Sequence, residues 1–259
     1  MPNELRTAQR RGSLALAGRE SRRVLALWSQ TLLPPVLTGC LFLAVFGGAL
    51  ADRIGPVEGV PYLDFILPGL LIVTVAGQAF SNNSTSLYQA KSEGYIDDLL
   101  TSPLRPSQLA FGYMVGGLLR GLLAALAITL AAMPFTGGIE RPEILAGTLV
   151  LTGILFAALG VLTGIWADTF DQHASVANVV VTPLALLGGV FYSVDSLSEP
   201  WATLTRIDPL LYLVDTTRAG VSGTSATHIA VSLLVASAIT ASLFVGLTAL
   251  LARGWRLKP

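Results

Sequence analysis

Six long stretches almost free of charge constrain this chain more than any other feature. Residues 24–51, 65–90, 109–133, 144–167, 172–194 and 219–252 each reach or exceed the ~20 mostly apolar residues that a helix needs to cross a bilayer. Only the third carries a charge, at Arg120. Helices are predicted at 32–50, 65–85, within 109–133, within 144–167, at 175–192 and at 229–251. Gly, Ala, Ser and Thr recur in these runs and permit close helix packing in lipid. An outer-membrane barrel would show short alternating segments instead.

Composition points the same way. Of the 259 residues, 12% are charged and 53% hydrophobic, against about 25% charged in soluble domains. Mean hydropathy is +0.67. So few charges cannot coat a soluble globule of this length. The net charge of zero offers no nucleic-acid surface. Cys40 is the single cysteine and lies inside an apolar run, so it is read as an inert thiol. The basic residues are 14 Arg and 2 Lys, a bias read as genome composition.

The expected architecture is an all-α membrane protein. One transmembrane domain covers 1–259: a tail and interfacial helix over 1–28, a six-helix bundle over 29–252 and a tail over 253–259. The apolar stretch after the first arginines is too long for a signal-peptide core, so the N-terminus is read as retained. With both termini inside, the inner regions collect 11 Lys and Arg and the outer loops four, leaving Arg120 aside. That bias predicts an inner (plasma) membrane protein with cytoplasmic termini.

Three segments outside the spans carry pattern. At the N-terminus, Leu14, Ala17, Ser21, Val24, Leu25 and Trp28 recur at helical spacing, with Arg19, Glu20, Arg22 and Arg23 largely elsewhere on the wheel. This predicts a basic amphipathic helix in the headgroup layer; the alternative is an unstructured basic tail. In the loop over 89–108, Tyr95, Ile96, Leu99 and Leu100 share one face of a short helix, and Glu93, Asp97 and Asp98 much of the other. Pro103 stops it. Its apolar face requires a receiver, either a partner protein or the chain's own bundle. The segment over 193–228 is rich in Leu, Trp and Tyr, with Pro200 and Pro209 as breakers. Tyr192, Trp201 and Tyr212 suit a membrane–water interface, which predicts a re-entrant or interfacial helical hairpin.

Longer motifs add a resemblance. Gly188-Gly189-Val190-Phe191-Tyr192-Ser193, Pro200-Trp201, and Asp208-Pro209-Leu210-Leu211-Tyr212-Leu213-Val214-Asp215 with Arg218 resemble the C-terminal signature of ABC-type-2 transporter permeases. Glu93-Gly94-Tyr95-Ile96-Asp97-Asp98-Leu99-Leu100-Thr101-Ser102-Pro103 resembles their coupling segment. Leu67-Pro68-Gly69-Leu70 and the run from Phe111 to Gly121 resemble their second and third helices. The resemblance spans about 62–220. It implies a protomer that pairs, as a homodimer, with two cytosolic nucleotide-binding ATPase subunits, the 95–100 helix seated in a groove of the ATPase. It implies export of an amphipathic small molecule (a drug or antibiotic), a lipid or a polysaccharide.

The chain has no ATP site of its own by this reading. A phosphate-binding loop ends Gly-Lys-Ser/Thr; Lys91 follows Ala90 with Thr85 six positions before it, and Lys258 precedes a proline. ATP and Mg therefore belong to the partner, and no cofactor or metal is expected here. Inside the spans, Arg120 needs water or a partner, and Asp168 and Asp171 are candidates. Gln78, Asn82 and Asn83 on the second helix suit interhelical hydrogen bonds or a pathway. His173 and His228 stand apart from each other and from Cys40. A secondary transporter is the alternative, but no internal repeat supports it.

Overall fold

The computed structural model describes residues 2–223 and 229–256; His228 and Lys258 lie outside the described residues. These residues hold helices and no strand. Helix α1 runs over Pro2–Ala26. The first span, α2, covers Trp28–Ala49 and changes from α-helix to π-helix at Leu43. Then come α3 (Tyr62–Ser92), the short α4 (Ile96–Thr101), α5 (Pro106–Ala132) and α6 (Pro142–Trp166). Helix α7 is Phe170–Val176, continued by a π-helical Ala177–Val181 into Thr182–Leu187. Helices α8 (Trp201–Ile207), α9 (Pro209–Val221) and α10 (Ile229–Arg253) complete the chain.

Local chemistry sets several boundaries. Proline stands first in α5, α6 and α9, where its missing N–H costs nothing and its fixed φ suits the helix. Gly94 ends α3 in the left-handed region, at φ +79°. Gln108 Oε1 accepts the Arg105 backbone N–H at 3.0 Å at the start of α5.

Five of these helices are long and apolar enough to cross a membrane: α2, α3, α5, α6 and α10. The sixth expected span, at 175–192, is instead the broken α7, which stops at Leu187 before the turn at Gly188 and Gly189. Its π-turn and Pro183 interrupt the regular ladder.

Helix α3 is the axis of the bundle, 78% buried over its apolar window. Helices α5 and α6 clamp it from two sides through glycines. A Cβ at Gly117 would lie 2.6 Å from the Ala79 carbonyl, and one at Gly160 2.5 Å from the Phe80 carbonyl. Only a bare Cα permits backbones that close. By contrast, α2 and α10 are only 11% and 17% buried. Their apolar flanks, such as Leu37, Leu41, Leu234 and Val245, stand exposed.

The N-terminal segment is a helix, as its periodicity predicts, but its buried stripe differs from the expected one. Leu16, Ala17, Glu20 and Val24 are buried, while Leu14, Leu25 and Trp28 are exposed. Leu16 covers Gly112 and Glu20 covers Gly116, so α1 runs along α5 rather than lying free of the bundle. Those glycines make a groove that accepts a carboxylate stem as readily as an apolar side chain, which a wheel of hydrophobicity cannot register.

Candidate functional site

Both termini of α3, α5 and α6 divide the bundle into two ends. The end holding α1, α4 and the C-terminal residues is the tail end; the end holding α8 and α9 is the far end.

At the tail end, α4 starts one residue later than its pattern predicts, with Tyr95 as its N-cap and Glu93 capping α3. Ile96 is buried, and Tyr95, Leu99 and Leu100 are partly buried against the main core. The receiver of the apolar face is thus the chain's own bundle. Asp97, Asp98 and Glu93 face outward. Arg19 links α4 to the bundle, its guanidinium 5.6 Å from the Tyr95 ring and 5.9 Å from the Tyr113 ring. Burial pushes the Tyr95 hydroxyl pKa up.

Below α4 lies a polar network that joins α1 to α3. Glu20 is 1% exposed, and its carboxylate accepts from Arg19 at 2.9 Å and from Ser86 at 2.9 Å. Arg23 stands 3.1 Å from Glu20 and donates to Asn82 Oδ1 at 3.2 Å. Asn82 in turn donates to Asn83, and Asn83 to the Ala157 carbonyl of α6 at 3.1 Å. These amides therefore act as interhelical links. Gln78, one turn earlier on the Asn82 face, has a buried Oε1 with no hydrogen-bond partner.

Arg120 lies about four turns into α5, which begins at Pro106. Asp168 and Asp171 do not reach it. Its Nε donates to the Thr31 carbonyl at 3.2 Å, and a cleft of about 190 Å³ joins it to Arg23, Asn82, Thr85 and Gln89. Asp168 pairs elsewhere, with Lys91 at 3.6 Å and with Arg256. Lys91 also donates to the Ile165 and Ala167 carbonyls, at 2.6 and 3.0 Å, so it caps α6 where basic groups are favourable. His173 rests against Tyr88 and Phe170 and bonds Thr85 at 2.9 Å. Burial holds its pKa down, which favours the neutral ring.

At the far end, the expected hairpin is two unlike helices. Helix α8 exposes Trp201, Leu204 and Ile207, while α9 is buried from Leu213 through Val221. Asp208 caps α9, accepting the Leu210 N–H at 2.8 Å, and Pro209 opens it. Burial pushes the Asp208 carboxyl up to about 6, because its Oδ2 is buried without a partner. Tyr192 donates to the Leu187 carbonyl at 2.8 Å and Tyr212 to the Arg206 carbonyl at 2.9 Å, so both hydroxyls tie the hairpin down. Arg218 donates to Asp215 at 2.7 Å and to the Gly189 carbonyl at 3.1 Å, with its guanidinium 4.0 Å from the Phe65 ring. A cleft of about 250 Å³ opens over this pair beside Glu58 and Tyr212.

Sequence reading missed three participants. Glu20 is the lone acid among three arginines, Arg19, Arg22 and Arg23, a local contrast that could have marked it. Asp215 sits three residues before Arg218, the spacing of a helical pair. The union of Lys91, Asp168 and Arg256 joins residues 77 and 88 positions apart in sequence and left no local signal.

An apolar cleft of about 660 Å³ lies between α2, the start of α3 and the end of α5, lined by Cys40, Leu43, Gly47, Leu63 and Phe135 among others. It adjoins the π-helical half of α2, where the widened turn leaves Gly47 against Leu63.

Most of the chain is similar to known proteins. The family model for ABC-2 type transporters matches residues 12–221. The chain is 38% identical over 208 residues to the inner membrane transport permease YadH of Escherichia coli (strain K12), covering 79% of this chain and 80% of that one. It is 25% identical over 204 residues to nodulation protein J of Rhizobium leguminosarum bv. trifolii, covering 76% and 78%. With nodulation protein J of Rhizobium meliloti (strain 1021) the identity is 22%, over 92% of each chain. The chain therefore belongs to the ABC-2 type transporter family and is a membrane-embedded transport subunit of the ABC class.

Proposed function

We propose that this chain is the permease of an inner-membrane exporter, a homodimer driven by two copies of a separate cytosolic ATPase that binds the ATP and Mg. The tail end is the cytoplasmic end in this reading, as the Lys and Arg bias requires. The observation that carries it is α4. Ile96 roots it in the core, while Asp97 and Asp98 point out of the bundle. A partner pressing on that acidic face would move α3 and α5 through Tyr95 and Arg19. The ATPase then meets the acidic face of α4 and not its apolar side, which the bundle already occupies. The poorly buried α2 and α10 offer apolar surface to lipid and to a second copy.

The apolar 660 Å³ cleft beside α2 favours an amphipathic small molecule or lipid as cargo over a fully polar one. A polysaccharide would require a wider path formed only between two copies.

The test is co-purification with the nucleotide-binding protein encoded beside this chain, comparing ATPase activity of wild type with Asp97→Arg/Asp98→Arg. Leu100 is left untouched because it packs on the core. Stable association with activity uncoupled by the double change supports the reading. If no ATPase associates and the double change is silent, the coupling role of α4 is overturned.

A further inference from the structure

We infer that the cleft between Arg120 and Arg23 is a binding site for the phosphate of an anionic phospholipid from the tail-end leaflet. The inference does not depend on what the complex exports.

Charge balance comes first. Arg120 lies within the span formed by α5, and among the described residues no carboxylate pairs with it. Arg23, a charge of the same sign, lines the same cleft. Arg23 in turn shares Glu20 with Arg19. Neither Asp nor Glu lines the cleft; its polar lining is Arg23, Thr31, Asn82, Thr85, Gln89 and Arg120. Two guanidiniums facing one small cleft inside a membrane protein require a counter-anion.

Donor geometry comes second. A guanidinium carries five N–H donors. Arg120 uses Nε on the Thr31 carbonyl, and among the described residues its terminal nitrogens meet no acceptor. That leaves a planar fork directed into the cleft, the arrangement that binds phosphate oxygens in pairs. Gln89 adds a neutral amide to the lining.

The surroundings select a lipid over a soluble phosphate. Val24 and Leu27 line the same cleft. Leu25, Leu27 and Trp28 stand exposed beside it, at the junction of α1 and α2. Acyl chains would lie over these side chains while the phosphate enters between the arginines. A choline headgroup would bring a cation to an already cationic site, so an acidic headgroup is favoured.

The experiment is native mass spectrometry of the full-length chain equilibrated with mixed phosphatidylglycerol and phosphatidylcholine, alongside thermal unfolding in inorganic phosphate. Wild type should retain phosphatidylglycerol preferentially, and Arg120→Gln should reduce that retention about tenfold. Arg206→Gln at the far end should leave it unchanged. Gln89→Glu is the second variant: its carboxylate supplies the missing countercharge from within, so lipid retention falls while thermal stability holds. Retention unchanged in both cleft variants, or equal retention of phosphatidylcholine, overturns the proposal. So does protection by inorganic phosphate that depends on Arg120 while phosphatidylglycerol retention does not, which would assign the cleft to a soluble phosphate-bearing ligand.

Discussion

Two ion-pair sites, one at each end of this bundle, handle charge in opposite ways. At the far end, Asp215 and Arg218 are sealed inside α9, with side chains 6% and 4% exposed and Phe65 stacked over the guanidinium. At the tail end, Asp168 joins Lys91 and Arg256 with its side chain 49% exposed. A sealed pair holds one geometry, because separating it strands a charge in a low-dielectric interior. A wet pair exchanges with water at little cost and tolerates motion. The Asp215–Arg218 pair thus holds one geometry, while the Asp168 links at the tail end can be remade, as they must be if force enters through α4.

The largest effect should come from breaking the sealed pair. Arg218→Ala should cost about 3–5 kcal/mol, since Asp215 would remain charged and buried. Thermal unfolding in detergent measures it, and Arg218→Met with Asp215→Leu should recover part of the loss. A cost below that of any tail-end variant would void the contrast. Next, Gly160→Leu tests the clamp common to both ends. The added side chain meets the Phe80 carbonyl, and overpacking of this kind costs about 1–3 kcal/mol. Disulfide trapping between α3 and α6 would report the separation.

A smaller effect is expected at the α9 cap. Asp208→Ala should lose ~1 kcal/mol with the capping bond. The sign of its pH dependence follows from burial. The folded carboxyl titrates near 6, above its ordinary value of 3.8. Between about 4 and 6 the folded state therefore holds a proton that the unfolded state releases, so stability rises as pH falls across that window. Asp208→Asn keeps an acceptor for the Leu210 N–H and should flatten the profile of unfolding temperature against pH. The smallest effect belongs to Arg256→Ala, about 0.2–1 kcal/mol and screened by salt. Unfolding midpoints in 0.05 and 0.5 M salt would sharpen the contrast, since the Arg218 variant should show almost no salt dependence.

Particular elements show where sequence reading reaches its limit. The positions of α2, α3, α5, α6 and α10 were legible because uninterrupted apolar runs have few alternatives in lipid. Helix α4 was legible as a short amphipathic helix to within one residue. Its orientation was not, because both a partner and the bundle accept an apolar face. Helix α7 was expected to extend to Tyr192 and breaks at Leu187. Hydropathy alone reads through Asn178, Pro183 and the paired glycines, whose effects are on backbone geometry. Arg120 was legible as anomalous, but Asp168 and Asp171, the acids considered for it, stand by the tail-end loop.

The amino-acid order therefore settles that this chain spans a membrane, roughly where its helices run, and which family its motifs belong to. These properties follow from local composition and short spacings. Only tertiary structure decides that Glu20 lies under Arg19 and Arg23, that Arg218 is locked to Asp215 beneath Phe65, and that Arg120 faces Arg23 across an open cleft. A charge in a membrane protein takes its character from what surrounds it in space, and those neighbours are brought together by glycine-mediated helix packing.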